Sequence, residues 1–173
     1  MGNPGALPRV IPAARMPALM RSMFVVVALL AAGCGKEIGD ECVISSDCDP
    51  SGGTRQCDTA STGGYCTIQG CDFNTCPEEA ACIRFFTGHF QNRACAEQTE
   101  CSLDELCSLA GFCVPRSSEV RYCMRTCEGD DDCRDGYQCR DIERMKTNGG
   151  EPVLAPGTPI DGNAPKFCAP APV

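Results

Sequence analysis

The stretch CEGDDDCRDGYQC, residues 127–139, sets three cysteines at a fixed step with carboxylates filling the gaps. The same step recurs along the chain. Sixteen cysteines read as four consecutive sets: Cys42, Cys48, Cys57 and Cys66; Cys71, Cys76, Cys82 and Cys95; Cys101, Cys107, Cys113 and Cys123; Cys127, Cys133, Cys139 and Cys168. Every set contains a C-x5-C pair: CVISSDC at 42–48, CPEEAAC at 76–82, CSLDELC at 101–107 and CEGDDDC at 127–133. Three sets also carry a glycine and an aromatic shortly before a cysteine, in GGYC, AGFC and DGYQC. A glycine can take positive φ in a tight turn, after which the aromatic starts a short strand. This recurrence is the signature of one small unit repeated with drift.

Four cysteines in a unit allow three pairings, and the spacing alone does not choose among them. First-to-third with second-to-fourth is the favoured pattern. The expected fold is a small disulfide-rich one, mostly loops and short β-hairpins with one or two short helical turns, in tandem four-cysteine units. Two S/T-x-x-E boxes, Thr75 with Glu78 and Ser102 with Glu105, are expected to start those helical turns and deliver Cys82 and Cys107. Pro77 suits such a first turn. The tail from Thr147 is rich in Pro and Gly and is expected to be an extended loop, pinned at Cys168 and frayed beyond it.

Composition agrees with a cross-linked scaffold. Trp is absent and aromatics make up 6% of the chain, so little apolar area is at hand to bury and covalent links must do part of that work. Near the chain start, Arg9, Arg15 and Arg21 precede the apolar run Phe24 to Ala32. A basic segment, a short apolar core and small residues make an export signal, with Met1, Met16 and Met20 as alternative starts. The apolar run is about half the ~20 residues a membrane span requires. Removal of residues 1–33 takes away those three arginines and moves the formal charge from −8 to about −11. Such acidity argues against nucleic acid and against adsorption to anionic headgroups.

The residues Ala31-Ala32-Gly33-Cys34 resemble a bacterial lipobox, although Ala31 stands where that family favours Leu. The resemblance implies cleavage before Cys34, a thioether-linked diacylglycerol on its sulfur and an acylated amino terminus. Parity supports it: of 17 cysteines, Cys34 is the odd one, and 16 remain to close eight bridges. Two or more acyl chains anchor a protein stably where one does so marginally. Gly35 differs from the Asp that retains many such lipoproteins at the inner membrane, which favours the outer membrane. With SSDC and DDDCRDGYQC, the chain is similar to the cysteine-rich surface lipoproteins of myxobacteria and their relatives. The Gly-Tyr-x-Cys step is also similar to epidermal-growth-factor-like modules, but their C-x-C pair is missing, so that fold is not carried over.

The expected organisation is a signal peptide at 1–33, a lipid-anchored tether at 34–41, tandem repeats at 42–139, and a Pro/Gly-rich segment at 140–173 held by Cys168.

Several chemistries are disfavoured by the sequence. Zinc sites want C-x2-4-C knuckles converging on one ion, whereas the chain has no C-x-x-C and a single His. The same gap removes thioredoxin-like chemistry. Asp130, Asp132 and Asp135 lie in an acidic run that lacks the spacing of a calcium loop. No nucleophile-base motif or phosphate loop occurs, so catalytic residues, metals and cofactors are not expected.

The least ordinary stretch is CIRFFTGHFQNRAC, residues 82–95. Arg84, Phe85, Phe86, His89 and Phe90 concentrate aromatic and cationic side chains in an acidic, aromatic-poor chain. One reading is a partner-contact surface for an envelope or extracellular protein. The other is a hairpin turning at Thr87-Gly88 whose phenylalanines form the small core of the second repeat. The function expected from all this is a non-catalytic, lipid-anchored envelope protein that binds or builds structure, with a secreted disulfide-rich inhibitor or toxin-like effector as the alternative.

Overall fold

The computed structural model describes residues 35–172. The signal peptide and Cys34 expected from the sequence lie outside those residues.

All 16 described cysteines are paired, in eight disulfides. The pairs are Cys42–Cys57 and Cys48–Cys66, Cys71–Cys82 and Cys76–Cys123, Cys95–Cys107 and Cys101–Cys113, and Cys127–Cys139 and Cys133–Cys168. Each unit is therefore first-to-third and second-to-fourth, as favoured from sequence. Two memberships differ. Cys123 closes the second unit, and Cys95 opens the third. The third unit, Cys95 to Cys113, thus sits inside the second one and not after it.

Each unit has the same anatomy. Its third and fourth cysteines face each other across an antiparallel strand pair, and each bonds to a cysteine of the preceding loop. In the first unit, β1 (Gln56–Asp58) pairs with β2 (Tyr65–Thr67), with Cys57 opposite Cys66. In the second, β3 (Ala80–Phe86) pairs with β6 (Glu119–Arg125), with Cys82 opposite Cys123. In the nested unit, β4 (Glu105–Cys107) pairs with β5 (Cys113–Pro115), with Cys107 opposite Cys113. In the last, β7 (Tyr137–Arg140) pairs with β9 (Phe167–Pro170), with Cys139 opposite Cys168.

The loop between first and second cysteines is held by a side chain placed just before the second. Asp47 accepts the Val43 and Ile44 N–H groups, at 2.8 and 3.1 Å, and shapes α1 (Ser45–Cys48). Asp132 accepts those of Glu128 and Gly129, at 2.7 and 3.1 Å, over a 3-10 turn at Asp130–Asp132. Glu100 does the same for Ala96 and Glu97 over Gln98–Glu100. In the second unit Thr75 substitutes, its hydroxyl accepting the Asp72 N–H at 2.8 Å. These N–H bonds favour the charged carboxylate, so Asp47, Glu100 and Asp132 are held below their ordinary pKa values.

A depressed folded-state pKa contributes stability that is complete above the unfolded value, about 4 for these groups, and is lost as pH falls through the folded value. Nuclear magnetic resonance of the six staple amides should therefore show no titration around that ordinary value and a concerted loss of their bonded shifts only at lower pH. Amides that titrate at the ordinary carboxylate value would contradict the staple.

The two capping boxes expected from the sequence do not start helices. Glu105 does accept the Ser102 N–H at 2.9 Å, but Glu105 is already the first residue of β4, so the bond closes a reverse turn. Thr75 bonds back to Asp72, and a Pro77–Ala80 turn leads straight into β3. With disulfides fixing both ends, such short segments have no room for a second helical turn.

The tail is also more ordered than expected. A second α-helix, α2 (Ile142–Asn148), starts at Asp141, whose side chain accepts the Arg144 N–H, and ends at Gly149 with φ 78°. Then β8 (Glu151–Pro152) pairs with β3. Beyond Cys168, Ala169 is buried and the Ala171 N–H still bonds to Gly136 O at 3.0 Å.

The units share one small core, to which β2, β3, β6, β7, β9 and α2 contribute Tyr65, Ile83, Met124, Tyr137, Phe167 and Met145. The glycines of GGYC, AGFC and DGYQC all adopt positive φ, and Tyr65 and Tyr137 each begin a strand, as expected. Their two rings stack at 5.6 Å and join the first unit to the last. Arg134 lies over Tyr137 at 4.1 Å and donates to Thr62 O at 2.8 Å. The Tyr65 hydroxyl accepts the Arg125 N–H at 2.9 Å, and burial holds it well above the usual phenol range.

Candidate functional site

The nested unit replaces what would be the turn of the β3–β6 hairpin. At its base the Thr87 N–H bonds to Ser118 O at 2.8 Å. The chain therefore does not reverse at Thr87-Gly88. It leaves β3 there, runs past His89 and Phe90, and enters the nested unit.

This route divides the five residues singled out in the sequence. Phe85 turns into the core, edge-on to Phe167 at 6.0 Å and tilted against Tyr122 at 6.4 Å. Arg84 is a clamp: its Nε and a terminal nitrogen donate to Glu151 at 3.0 and 2.7 Å. Glu151 is buried and also accepts the Leu109 N–H, so this ion pair ties β8 to both β3 and the nested unit. Neither residue is a loose contact group. Phe86 and Phe90 stay half-buried and His89 is exposed. Phe90 packs over Gly88, where a Cβ would come within 2.9 Å of the ring.

Phe86, His89 and Phe90 line a groove of about 450 Å³. Phe112 and Val114 of the nested unit line it too, as do the C-terminal turn of α2 and Gly149-Gly150. Gly150 is required there. Its φ is 88°, and a Cβ would meet Phe167 at 2.4 Å and Phe85 at 2.9 Å. Sequence reading missed Phe112 and Val114, because they become neighbours of Phe86 only through the nesting. A partial signal is in the sequence: an acidic residue precedes the second cysteine in SSDC, QTEC and DDDC, which points to Cys101 as a second cysteine, although Glu41 also precedes the first cysteine Cys42.

Two carboxylates of the acidic run at 128–136, Asp130 and Asp132, serve the fold. Asp130 pairs with Arg144 and accepts the Cys139 N–H at 2.8 Å, which lowers its pKa, Arg144 being the larger cause. Asp132 is the staple already described. Among the described residues, the groups of metal-ligating side chains that converge are all half-cystines. A sulfur in a disulfide has no thiolate to offer a metal.

The groove thus offers apolar contact area, interspersed with polar groups such as Gln91, Lys146 and Asn148, on a covalently fixed frame. In comparisons with known proteins, the chain matches no family model, no curated protein and no solved structure.

Proposed function

We propose that the chain is a non-catalytic, lipid-anchored envelope protein of the cysteine-rich bacterial type, held at the outer membrane through Cys34, whose groove receives an apolar peptide segment of another envelope protein. The observation that carries the binding reading is the convergence of Phe86, Phe90 and Phe112 beside His89. Three aromatics from two units meet at a surface that the core does not need, in a chain with few aromatics. Aromatic anchors on a rigid frame lose little conformational freedom on binding.

The anchor reading is supported by cysteine parity and by the packing that begins directly after it. The eight bridges fit an oxidising compartment. Residues 34–41 were expected to be a tether, but within them Ile38 is fully buried and the Gly39 N–H bonds to Cys66 O at 2.9 Å. A lipid on Cys34 would then hold the scaffold close against the bilayer with almost no spacer. Val43 and Ile44, 79% and 58% exposed, are apolar residues near that end of the sequence.

The test places a photo-crosslinking benzoylphenylalanine at His89 in cells. A discrete adduct is expected, together with acyl mass on Cys34 in intact-protein mass spectrometry. Phe86→Ala with Phe90→Ala should remove the adduct and leave the thermal midpoint within a few degrees, about 1 kcal/mol, since both rings are half-exposed. Phe85→Ala should instead destabilise by about 3 kcal/mol, as expected of a core ring. An adduct that survives the double substitution, or a double variant that unfolds, would overturn the groove. A Cys34 without acyl mass would overturn the anchor alone.

A further inference from the structure

A second cavity, of about 230 Å³, is lined by residues of the first, second and last units and shares only Phe85 with the groove. Phe85, Tyr122, Met124 and Ala169 give it apolar walls, and Arg140 and Asp58 are the charged residues that line it. Arg140 is 8% exposed, so its guanidinium is almost wholly out of water. One terminal nitrogen donates to Asn148 O at 2.7 Å and Gly149 O at 3.0 Å, and the other to Pro170 O at 3.0 Å. Its Nε has no acceptor. Among the described residues no carboxylate lies within ion-pair distance of it. Asp58 turns its oxygens to the Ala60 N–H at 3.0 Å and the Ser61 hydroxyl at 2.8 Å. Three carbonyls satisfy N–H groups but bring no net charge. A buried cation without a counter-charge is costly, and burial lowers the Arg140 pKa accordingly.

We propose that this cavity binds a small carboxylate with an apolar body, its carboxylate against Arg140 and its body against Phe85, Tyr122 and Met124. A guanidinium matches a carboxylate in plane and in charge. The single cation suits a monoanion set against Arg140, and Asp58 at the same cavity disfavours a dianion such as phosphate more strongly than a monoanion. The volume has room for about eight non-hydrogen atoms at the ~30 Å³ that a water occupies in the liquid. Hexanoate is a probe of that size.

The experiment titrates hexanoate, hexanol and inorganic phosphate into the full oxidised chain, followed by nitrogen-15 nuclear magnetic resonance. Hexanoate is expected to shift the Arg140 Nε–H and the Met124 and Ala169 amides saturably. Hexanol should bind about tenfold more weakly, as should hexanoate to Arg140→Gln, for loss of one charge-assisted bond. Phosphate should leave Arg140 unmoved. Should Arg140→Gln fail to fold, Ser61→Phe narrows the cavity without touching the carbonyl clasp and should abolish the hexanoate shifts. Equal binding of hexanol and hexanoate, an Arg140 response to phosphate, or no saturable shift at these three residues would each overturn the proposal.

Discussion

Replacing Cys76 and Cys123 together with alanine is expected to destabilise the protein by about 4 kcal/mol, measured by denaturant unfolding under non-reducing conditions. The bridge joins residues 47 apart, the longest span of the eight, and its loop encloses the whole nested unit. Constraint of the unfolded chain grows with loop length, so this pair should cost more than any 12-residue bridge, for which the same relation gives about 3 kcal/mol. Cys123 is also fully buried at the centre of β6, opposite Cys82, so the bridge stands inside the shared core. The comparison is Cys101→Ala with Cys113→Ala. That pair should loosen the nested unit and leave probes in the main core, such as the Tyr65–Tyr137 stack, with nearly the parental midpoint. Equal losses from both pairs would mean that the nested unit is not an appended one.

Gly64→Ala should be nearly as damaging, and for a different reason. Gly64 has φ 68°, and a Cβ there would lie 1.9 Å from Cys42 O. Neither backbone can yield, because the Cys42 N–H is bonded to Gly63 O and the Cys66 N–H to Asp40 O. Strain and overlap together should reach about 3 kcal/mol or more, seen as a fall in thermal midpoint and in the yield of correctly oxidised protein. Gly136→Ala is the control. Its φ of 80° carries the same backbone strain, but a Cβ there has nothing within 4 Å, so about 1 kcal/mol is expected. The difference between the two isolates the close crossing of the hairpin tip over the first cysteine.

Cysteine number and spacing made the four-cysteine scaffold legible; the interlaced pairing, favoured among three that the spacing allows, is the one observed. They could not fix the phase of the repeat. The step C-x5-C joins first to second cysteine at 42–48 and 127–133, but second to third at 76–82 and 101–107. Spacing is therefore degenerate, and only the residue before the second cysteine, whose side chain staples the loop, tells the two apart. The nesting left only one weak local mark, Glu100 before Cys101. A strand pair such as β3–β6 tolerates a long connection because loop closure depends only weakly on length.

The candidate site was half visible for the same reason. Phe86, His89 and Phe90 stood out as a local cluster, whereas Phe112 and Val114 join them across the nesting. Arg84 looked like a contact residue until the buried Glu151, 67 residues away, gave it a partner. The shared core escaped notice because its members are scattered over the first, second and last units, and no single segment is apolar enough to announce it.

The claim on which the groove and the predicted bridge stabilities rest is that the third unit lies inside the second. Non-reducing proteolysis with mass spectrometry of the cross-linked peptides tests it most directly. The nested arrangement predicts peptides joining Cys76 to Cys123 and Cys95 to Cys107. Peptides joining Cys76 to Cys95 and Cys107 to Cys123 would instead describe four units in tandem, and would contradict it.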